Sequence, residues 1–172
     1  TMLLLVISLC TASCSDWLDV SPSNQVNGDK LFEIGDGYRN ALNGIYLNLG
    51  TSSMYGQTMS WGFMDAIAQY YKTDNGSNFI PKTSAYYKSA KFQFEDSDVK
   101  TFISNIWSVS YNNIANCNNL ILNVSEASPS VFKEGEFEKN MIWGEALALR
   151  AFMHFDLLRL FAPAISKDDG KS

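Results

Sequence analysis

Four long segments of the chain repeat apolar residues at helical spacing. They cover about residues 36–49, 55–71, 98–124 and 135–161. Side chains three and four positions apart lie on one face of an α-helix, so the pattern predicts four amphipathic helices. In the two shorter segments the repeating residues are Tyr38, Leu42, Ile45 and Leu49, then Met59, Phe63, Ile67 and Tyr70.

The two longer helices carry further expectations. Seven asparagines between Asn105 and Asn123 lower the helix propensity of the third segment. We therefore expect it to depend on tertiary packing, and some amides to bond neighbouring helices. The fourth segment has one apolar stripe through Met153 and a second through His154. A helix that is apolar on two sides is packed on two sides, which is typical of stacked helical hairpins.

Between residues 72 and 94 the periodicity is lost, which predicts a long loop with room for a short strand at its end. This loop combines aromatic side chains with amides and a carboxylate where no periodicity demands core packing. Aromatic faces beside a few polar groups are typical of the sites that bind small ligands. The alternative is that its tyrosines pack on the helices and its asparagines form turns. The candidate ligand-binding residues are Asp74, Asn75, Asn78, Phe79, Tyr86 and Tyr87.

Composition excludes several classes of function. The chain has 172 residues, of which 46% are hydrophobic, enough for one domain with a substantial core. A net charge of -5 provides no basic field for nucleic acid. One histidine and three cysteines match no zinc-ligand spacing and no disulfide framework. We predict no metal, no cofactor and no nucleic-acid partner.

The first fourteen residues have the pattern of a cleaved targeting segment rather than that of a folded domain. An apolar run, Leu3–Leu9, is too short to span a bilayer and leads into small residues before Cys14. This order resembles the lipobox of bacterial lipoproteins, although Thr11 replaces the usual leucine and no basic residue precedes Lys30. We expect a signal peptide over 1–13, a lipidated tether over 14–30 from Cys14, and a folded domain over 31–172. The alternative is plain secretion with Cys14 unmodified.

Two motifs carry a family resemblance. The first motif runs from Trp107 through Tyr111 to Asn116 and has the order Trp, Tyr, Ile, Ala-Asn. The second motif begins at Gly144 and contains Glu145-Ala and Leu-Arg150-Ala. Together and in this order they resemble the SusD/RagB family of outer-membrane nutrient-binding lipoproteins. The family's usual Gly-Asp-x-Pro after the fourth helix is here Ala-Pro-Ala, a mild departure. Family members are far longer, so we expect the chain to be an N-terminal part.

The resemblance implies a mainly all-α fold of tetratricopeptide-like helical hairpins with long irregular loops. It also implies a lipid-anchored protein on the outer-membrane surface that captures a glycan or peptide for a partner TonB-dependent transporter, without catalysis. The motif residues Trp107, Tyr111, Asn116, Glu145 and Arg150 would be scaffold, with Arg150 bonding a buried carboxylate or carbonyls. The nearest carboxylates in sequence are Glu145 and Asp156.

Two alternatives differ in function class. One is a tetratricopeptide-type scaffold that binds proteins and no small ligand. The other is a glycoside hydrolase using Glu145 and Asp156, but eleven helical residues separate them by roughly 16 Å, beyond the ~5–9.5 Å that glycosidases use. We expect the helical tryptophans Trp61, Trp107 and Trp143 to be core, and His154 to be a packing residue.

Overall fold

The computed structural model describes residues 28–73 and 80–163, and within these ranges the chain forms helices and turns without a β-strand. The predicted all-α class is therefore confirmed. A 3-10 turn, Pro129–Val131, separates the two long helices. The α-helices are α1 Gly28–Leu31, α2 Gly35–Leu49, α3 Phe63–Ile67, α4 Ala85–Ala90, α5 Ser97–Glu126 and α6 Gly135–Phe161.

Three of the four predicted helices are confirmed, because α2, α5 and α6 match the segments 36–49, 98–124 and 135–161. Their ends follow local chemistry. The Asp96 carboxylate accepts a hydrogen bond of 3.0 Å from the Asp98 N–H and so caps α5. Two glutamates lie in the first turn of α6 and Arg159 in its last turn, an order that favours the helix dipole.

The predicted helix over 55–71 is wrong for most of its length, because residues 51–62 form consecutive turns and only α3 is helical. Hydroxyl side chains compete with the helix here: Thr58 donates to the Ser52 carbonyl at 2.8 Å, and Ser60 donates to the Tyr55 carbonyl at 2.9 Å. A Cβ on Gly62 would lie 2.8 Å from a backbone oxygen. Residues 55–71 therefore have helical apolar spacing, but local hydrogen bonds and close backbone contacts hold most of them in turns instead of a helix.

The expected strand near residue 94 is also wrong, since residues 80–94 contain the short helix α4 instead. The Ser84 hydroxyl caps α4 by accepting from the Tyr86 N–H at 3.3 Å. Within the helix, Ser89 is fully buried and donates to the Ala85 carbonyl at 2.7 Å. A six-residue helix is too short to show apolar periodicity, so the spacing of apolar residues does not predict it.

Side-chain contacts fix how α5 and α6 pack. Trp107 in the first half of α5 contacts Phe161 at the end of α6, with ring centroids 5.0 Å apart. Farther along α5, the Arg150 guanidinium donates to the Asn118 side-chain oxygen at 2.9 Å. Residue numbers rise on one helix as they fall on the other, so α5 and α6 form the antiparallel hairpin that stacked helical pairs require.

Helix α2 lies against both members of this hairpin. The Arg39 guanidinium lies 3.4 Å from the Glu138 carboxylate. Seven residues later on both helices, about two turns, the Tyr46 hydroxyl donates to Glu145 at 3.0 Å, so α2 runs parallel to α6. On the other side, the Asn48 amide donates to the fully buried Asn113 at 3.2 Å. This bond confirms that asparagines of α5 bond a neighbouring helix.

The main core lies where α2, α5 and α6 meet. Met153 and Ile142 of α6 are both completely buried there. Cys117 is also completely buried, and burial raises the pKa of its thiol to about 11, so it behaves as a small apolar side chain at neutral pH. The buried members of this core are Tyr38, Leu42, Ile45, Leu49, Met54, Ile114, Cys117, Leu120, Val124, Phe132, Ile142, Ala146, Met153 and Leu157.

The prediction that α6 is packed on two sides is wrong for the described residues. The stripe through Met153 is buried, but His154 is exposed, and Leu147, Leu158 and Phe161 of the second stripe are 38%, 60% and 37% exposed. Only Trp143 of that stripe is half-buried. In the described part of the chain, α6 therefore shows one face to the core and an apolar face to solvent.

A tight backbone approach joins α1 to α2, and it yields a stability prediction. A methyl group on Gly37 would overlap the carbonyl of Leu31, whereas a methyl group on Gly44 of the same helix would meet nothing within 4 Å. We expect Gly37→Ala to lower the free energy of unfolding by about 1–3 kcal/mol through overpacking. The matched Gly44→Ala should raise it by about 0.5–1 kcal/mol. Urea denaturation measures both, and equal effects would contradict the contact.

Candidate functional site

The six loop residues predicted to bind ligand divide between two parts of the chain. Asp74, Asn75, Asn78 and Phe79 lie outside the described residues. Tyr86 and Tyr87 are in α4, where both are half-buried.

Both tyrosines of α4 already have partners. The Tyr86 hydroxyl accepts a 2.7 Å hydrogen bond from the Gln57 amide, and its ring stacks on Phe102 of α5 with centroids 5.4 Å apart. The Lys91 ammonium lies 5.7 Å from the centre of the Tyr87 ring. The contacts of Tyr86 hold the far end of the predicted loop against α5 and the turn before α3, whereas the Lys91 contact lies within the segment itself.

Ion pairs strengthen this attachment. The Lys88 ammonium of α4 lies 2.9 Å from the Asp96 carboxylate and 2.8 Å from the Asp98 carboxylate at the start of α5. Hydrogen bonds to these carboxylates raise the pKa of Lys88, and the bond from Lys88 lowers the pKa of Asp96. On the other side, the Gln69 amide donates to the Ala90 carbonyl at 2.7 Å. The segment 80–96 is thus tied to both α3 and α5.

An exposed cluster of aromatic rings lies where the first half of α5 meets the end of α6. We call Trp107, Tyr111 and Phe161 the aromatic platform. Trp107 is 46% exposed, Tyr111 40% and Phe161 37%. The Trp107 ring centre lies 4.8 Å from that of Tyr111 and 5.0 Å from that of Phe161. The rings bound an open depression of about 310 Å³.

Polar groups at the platform come from its edge. The His154 ring meets Tyr111 edge-on at 6.3 Å, and both side chains are exposed. An imidazole and a phenol can each donate and accept hydrogen bonds. The platform therefore combines flat apolar faces with polar groups at one rim, the arrangement that suits a ligand with both CH faces and hydroxyl groups.

A second depression adjoins the platform and shares Phe161 with it. It has a volume of about 230 Å³ and is lined entirely by apolar side chains. Ile67 at the end of α3 and Phe94 after α4 contribute to its wall, so it lies between the two ends of the segment that carries the predicted loop site. The lining residues are Phe63, Ile67, Phe94, Ile103, Ile106, Leu160 and Phe161.

The predictions that Trp107 is a core residue and that His154 is a packing residue are wrong, because both side chains are exposed at the platform. Trp61 is also exposed, at 56%, and donates to the Gly56 carbonyl at 3.2 Å. The signal that could have found the platform is the spacing of Trp107 and Tyr111, four residues apart on α5, opposite the apolar end of α6.

The charged residues of α6 singled out by the sequence have separate partners. Arg150 donates to the exposed side-chain carbonyl oxygen of Asn118 at 2.9 Å and does not pair with Glu145 or Asp156. Asp156 accepts from the Tyr55 hydroxyl at 2.8 Å and from Arg159 at 3.0 Å, and burial together with the Asp156 hydrogen bond raises the pKa of Tyr55.

Glu145 belongs to a separate network. It accepts from Tyr46 at 3.0 Å and lies 3.8 Å from the Arg39 guanidinium. Glu145 and Asp156 thus each have their own partners on different parts of α6.

Among residues 28–73 and 80–163, no three histidine, cysteine or carboxylate side chains converge as ligands for a metal ion. No helix in these ranges is both long and apolar enough to cross a bilayer.

Comparison with known proteins gives a family and no individual relative. A SusD-like family model, described as "Starch-binding associating with outer membrane", matches residues 16–171. Among curated proteins and among solved structures, nothing matches. The matched range includes both sequence motifs, the helical hairpin and the platform. The chain therefore belongs to the SusD-like family of starch-binding proteins that associate with the outer membrane.

Proposed function

We propose that the protein binds a neutral glycan at the cell surface and holds it for import. The observation that carries this proposal is the family match, which covers nearly the whole chain and is described by starch binding at the outer membrane. The aromatic platform gives the match a physical counterpart. Flat rings in contact with sugar CH groups release water from both surfaces, and the polar rim can bond hydroxyl groups.

The predicted loop residues extend the same proposal. Asp74, Asn75, Asn78 and Phe79 lie in the segment between α3 and α4, and Tyr86 and Tyr87 begin the attachment of that segment to α5. The apolar depression lies between these attachment points and the platform. We assign ligand contacts to the six loop residues and to the platform, with the platform as the aromatic part of the site.

Anchoring and delivery complete the proposed function. Residues 1–13 act as a signal peptide, and Cys14 carries the fatty-acyl chains that hold the protein on the outer membrane. Each buried methylene contributes ~0.8 kcal/mol, so two or three acyl chains anchor a protein stably. From this position the protein passes its glycan or peptide ligand to a TonB-dependent transporter.

We propose binding without catalysis. Hydrolysis of a glycosidic bond needs two carboxyl groups ~5–9.5 Å apart across the scissile bond. Glu145 and Asp156 are eleven residues apart on one helix, roughly 16 Å along its axis, and each is occupied by separate partners. The arrangement favours structural roles for both.

Affinity electrophoresis of the intact chain tests the proposal. Native gels containing soluble starch should retard the protein relative to gels without polysaccharide, and incubation with starch should release no reducing ends. A folded protein that migrates equally in both gels would support the protein-binding scaffold instead. Released reducing ends would support the hydrolase.

A fatty-acid label tests the anchor. Radiolabelled palmitate should enter the wild-type protein, and Cys14→Ser should abolish both the label and recovery in the membrane fraction. A labelled Cys14→Ser protein would place the modification elsewhere.

A further inference from the structure

A third depression lies between α5, α2 and the end of α1. Its volume is about 290 Å³, close to the lower end of the ~300–1,000 Å³ of ligand pockets. Phe32 provides an aromatic wall, and Gly44 leaves a gap in the α2 side, where a Cβ would meet nothing within 4 Å. Asn116 and Asn119 provide amides from α5. We call this depression the amide groove, and none of the described residues lining it is ionisable.

The two amides belong to a ladder along one face of α5. Asn112, Asn116, Asn119 and Asn123 follow each other at intervals of four, three and four residues, so they share a face of the helix. The Asn116 amide nitrogen donates to the Asn112 side-chain oxygen at 3.3 Å, and the Asn123 amide nitrogen donates to the Asn119 side-chain oxygen at 3.1 Å. These bonds orient the two central side chains.

The ladder leaves complementary groups at the groove. Among the described residues, the side-chain oxygen of Asn116 and the side-chain nitrogen of Asn119 have no hydrogen-bond partner. One can accept and the other can donate, and their Cβ atoms are about 5–6 Å apart by helical geometry. A hydroxyl group both donates and accepts, so neighbouring hydroxyls of one sugar ring match this pair.

Helix stability does not explain the ladder. Asparagine is a poor helix former, and three of these four residues are exposed, where alanine, glutamate or lysine would stabilise α5 more. The buried asparagine that joins α5 to α2 is Asn113, which lies outside the ladder. Positions that break a local rule without a structural gain are typical of functional sites.

We infer that the amide groove is a second binding subsite for a neutral sugar unit, separate from the aromatic platform. Phe32 covers an apolar face of the sugar, Asn116 and Asn119 bond its hydroxyls, and the missing side chain at Gly44 provides the space. The lack of ionisable lining residues selects uncharged sugars over uronic acids or phosphorylated sugars. Trp107 and Asn119 are twelve residues apart on α5, roughly 18 Å, so a platform ligand of one or two rings does not reach the groove. This inference rests on the proposed glycan-binding function.

Two sets of substitutions test the groove with the intact chain, soluble starch and maltoheptaose as probes. Gly44→Leu fills the groove at a position open to solvent, and it replaces glycine by a better helix former. The double change of Asn116→Ala with Asn119→Ala removes both hydrogen-bonding groups and also favours the helix. Loss of binding in these proteins therefore does not arise from unfolding of α2 or α5, and circular dichroism checks this directly.

Matched controls lie away from the groove. Gly144→Leu makes the same change on α6, where a Cβ also meets nothing within 4 Å, and Asn105→Ala removes an exposed asparagine of α5 outside the ladder. We expect the groove variants to raise the Kd for starch about tenfold, since they remove about two hydrogen bonds or the space for the ring. The controls should bind as the wild type does.

Each outcome has a distinct meaning. If wild type binds starch and maltoheptaose and the groove variants bind equally well, the groove is not a subsite while the glycan-binding function stands. Equal losses in control and groove variants would likewise overturn the assignment. If folded wild type binds neither probe, the proposed function itself fails. Binding of polygalacturonate as tight as that of starch would contradict the selection of neutral sugars.

Discussion

Met153→Ala should lower the free energy of unfolding by about 2–5 kcal/mol, a large part of the stability of a domain this size. Met153 is completely buried in the core between α2, α5 and α6. Shortening its side chain removes apolar contacts and leaves a cavity that closely packed helices fill only in part. Urea denaturation followed by far-ultraviolet circular dichroism measures the change.

Met141 provides the matched control on the same helix. Its side chain is 42% exposed, so Met141→Ala makes the same chemical change without opening a core cavity. We expect its effect to stay within about 0.5 kcal/mol. If both variants lost equal stability, α6 would not present the Met153 face to the core, and the three-helix packing would be wrong.

Trp107→Ala should weaken binding of maltoheptaose by about 2 kcal/mol, or roughly thirtyfold in Kd. Aromatic side chains that become buried against a ligand contribute much of the binding free energy. Trp107 contacts both other rings of the platform, so its removal also frees Tyr111 and Phe161. Since 46% of Trp107 is exposed, the cost to folding is smaller than the cost to binding. Titration calorimetry gives the Kd, and thermal denaturation checks folding.

Trp61→Ala is the matched control for this prediction. Trp61 is 56% exposed, donates to the Gly56 carbonyl and does not line the depression that the platform bounds. It should leave the Kd for maltoheptaose unchanged. Comparable weakening by the two tryptophan variants would show that binding does not depend on the platform.

The long helices could be predicted from the sequence because their apolar faces repeat over many turns. Met153 and Ile142 follow the helical period and are buried, and Asn113 bonds α2 as the asparagine content of α5 suggested. The turns over residues 51–62 show the same spacing and could not be read correctly. There, hydroxyl side chains such as Thr58 bond nearby carbonyls, a local competition that apolar periodicity does not report.

The candidate site was less predictable than the helices. Trp107 and His154 follow the helical period of apolar residues, so they read as core, yet no described segment covers them. Periodicity identifies which face is apolar, but only packing shows whether another element covers that face. Tyr86 differs, because its contacts with Gln57 and Phe102 join segments far apart in the sequence. Such tertiary contacts have no local signature.

Calorimetric titration of the intact chain with maltoheptaose shows whether this helical scaffold binds a neutral glycan. Aromatic contact with a sugar buries apolar surface, so we expect saturable heat and a negative heat-capacity change on binding. Heat no larger than that of dilution, from a protein whose circular dichroism shows folded helices, would rule out glycan binding by this scaffold.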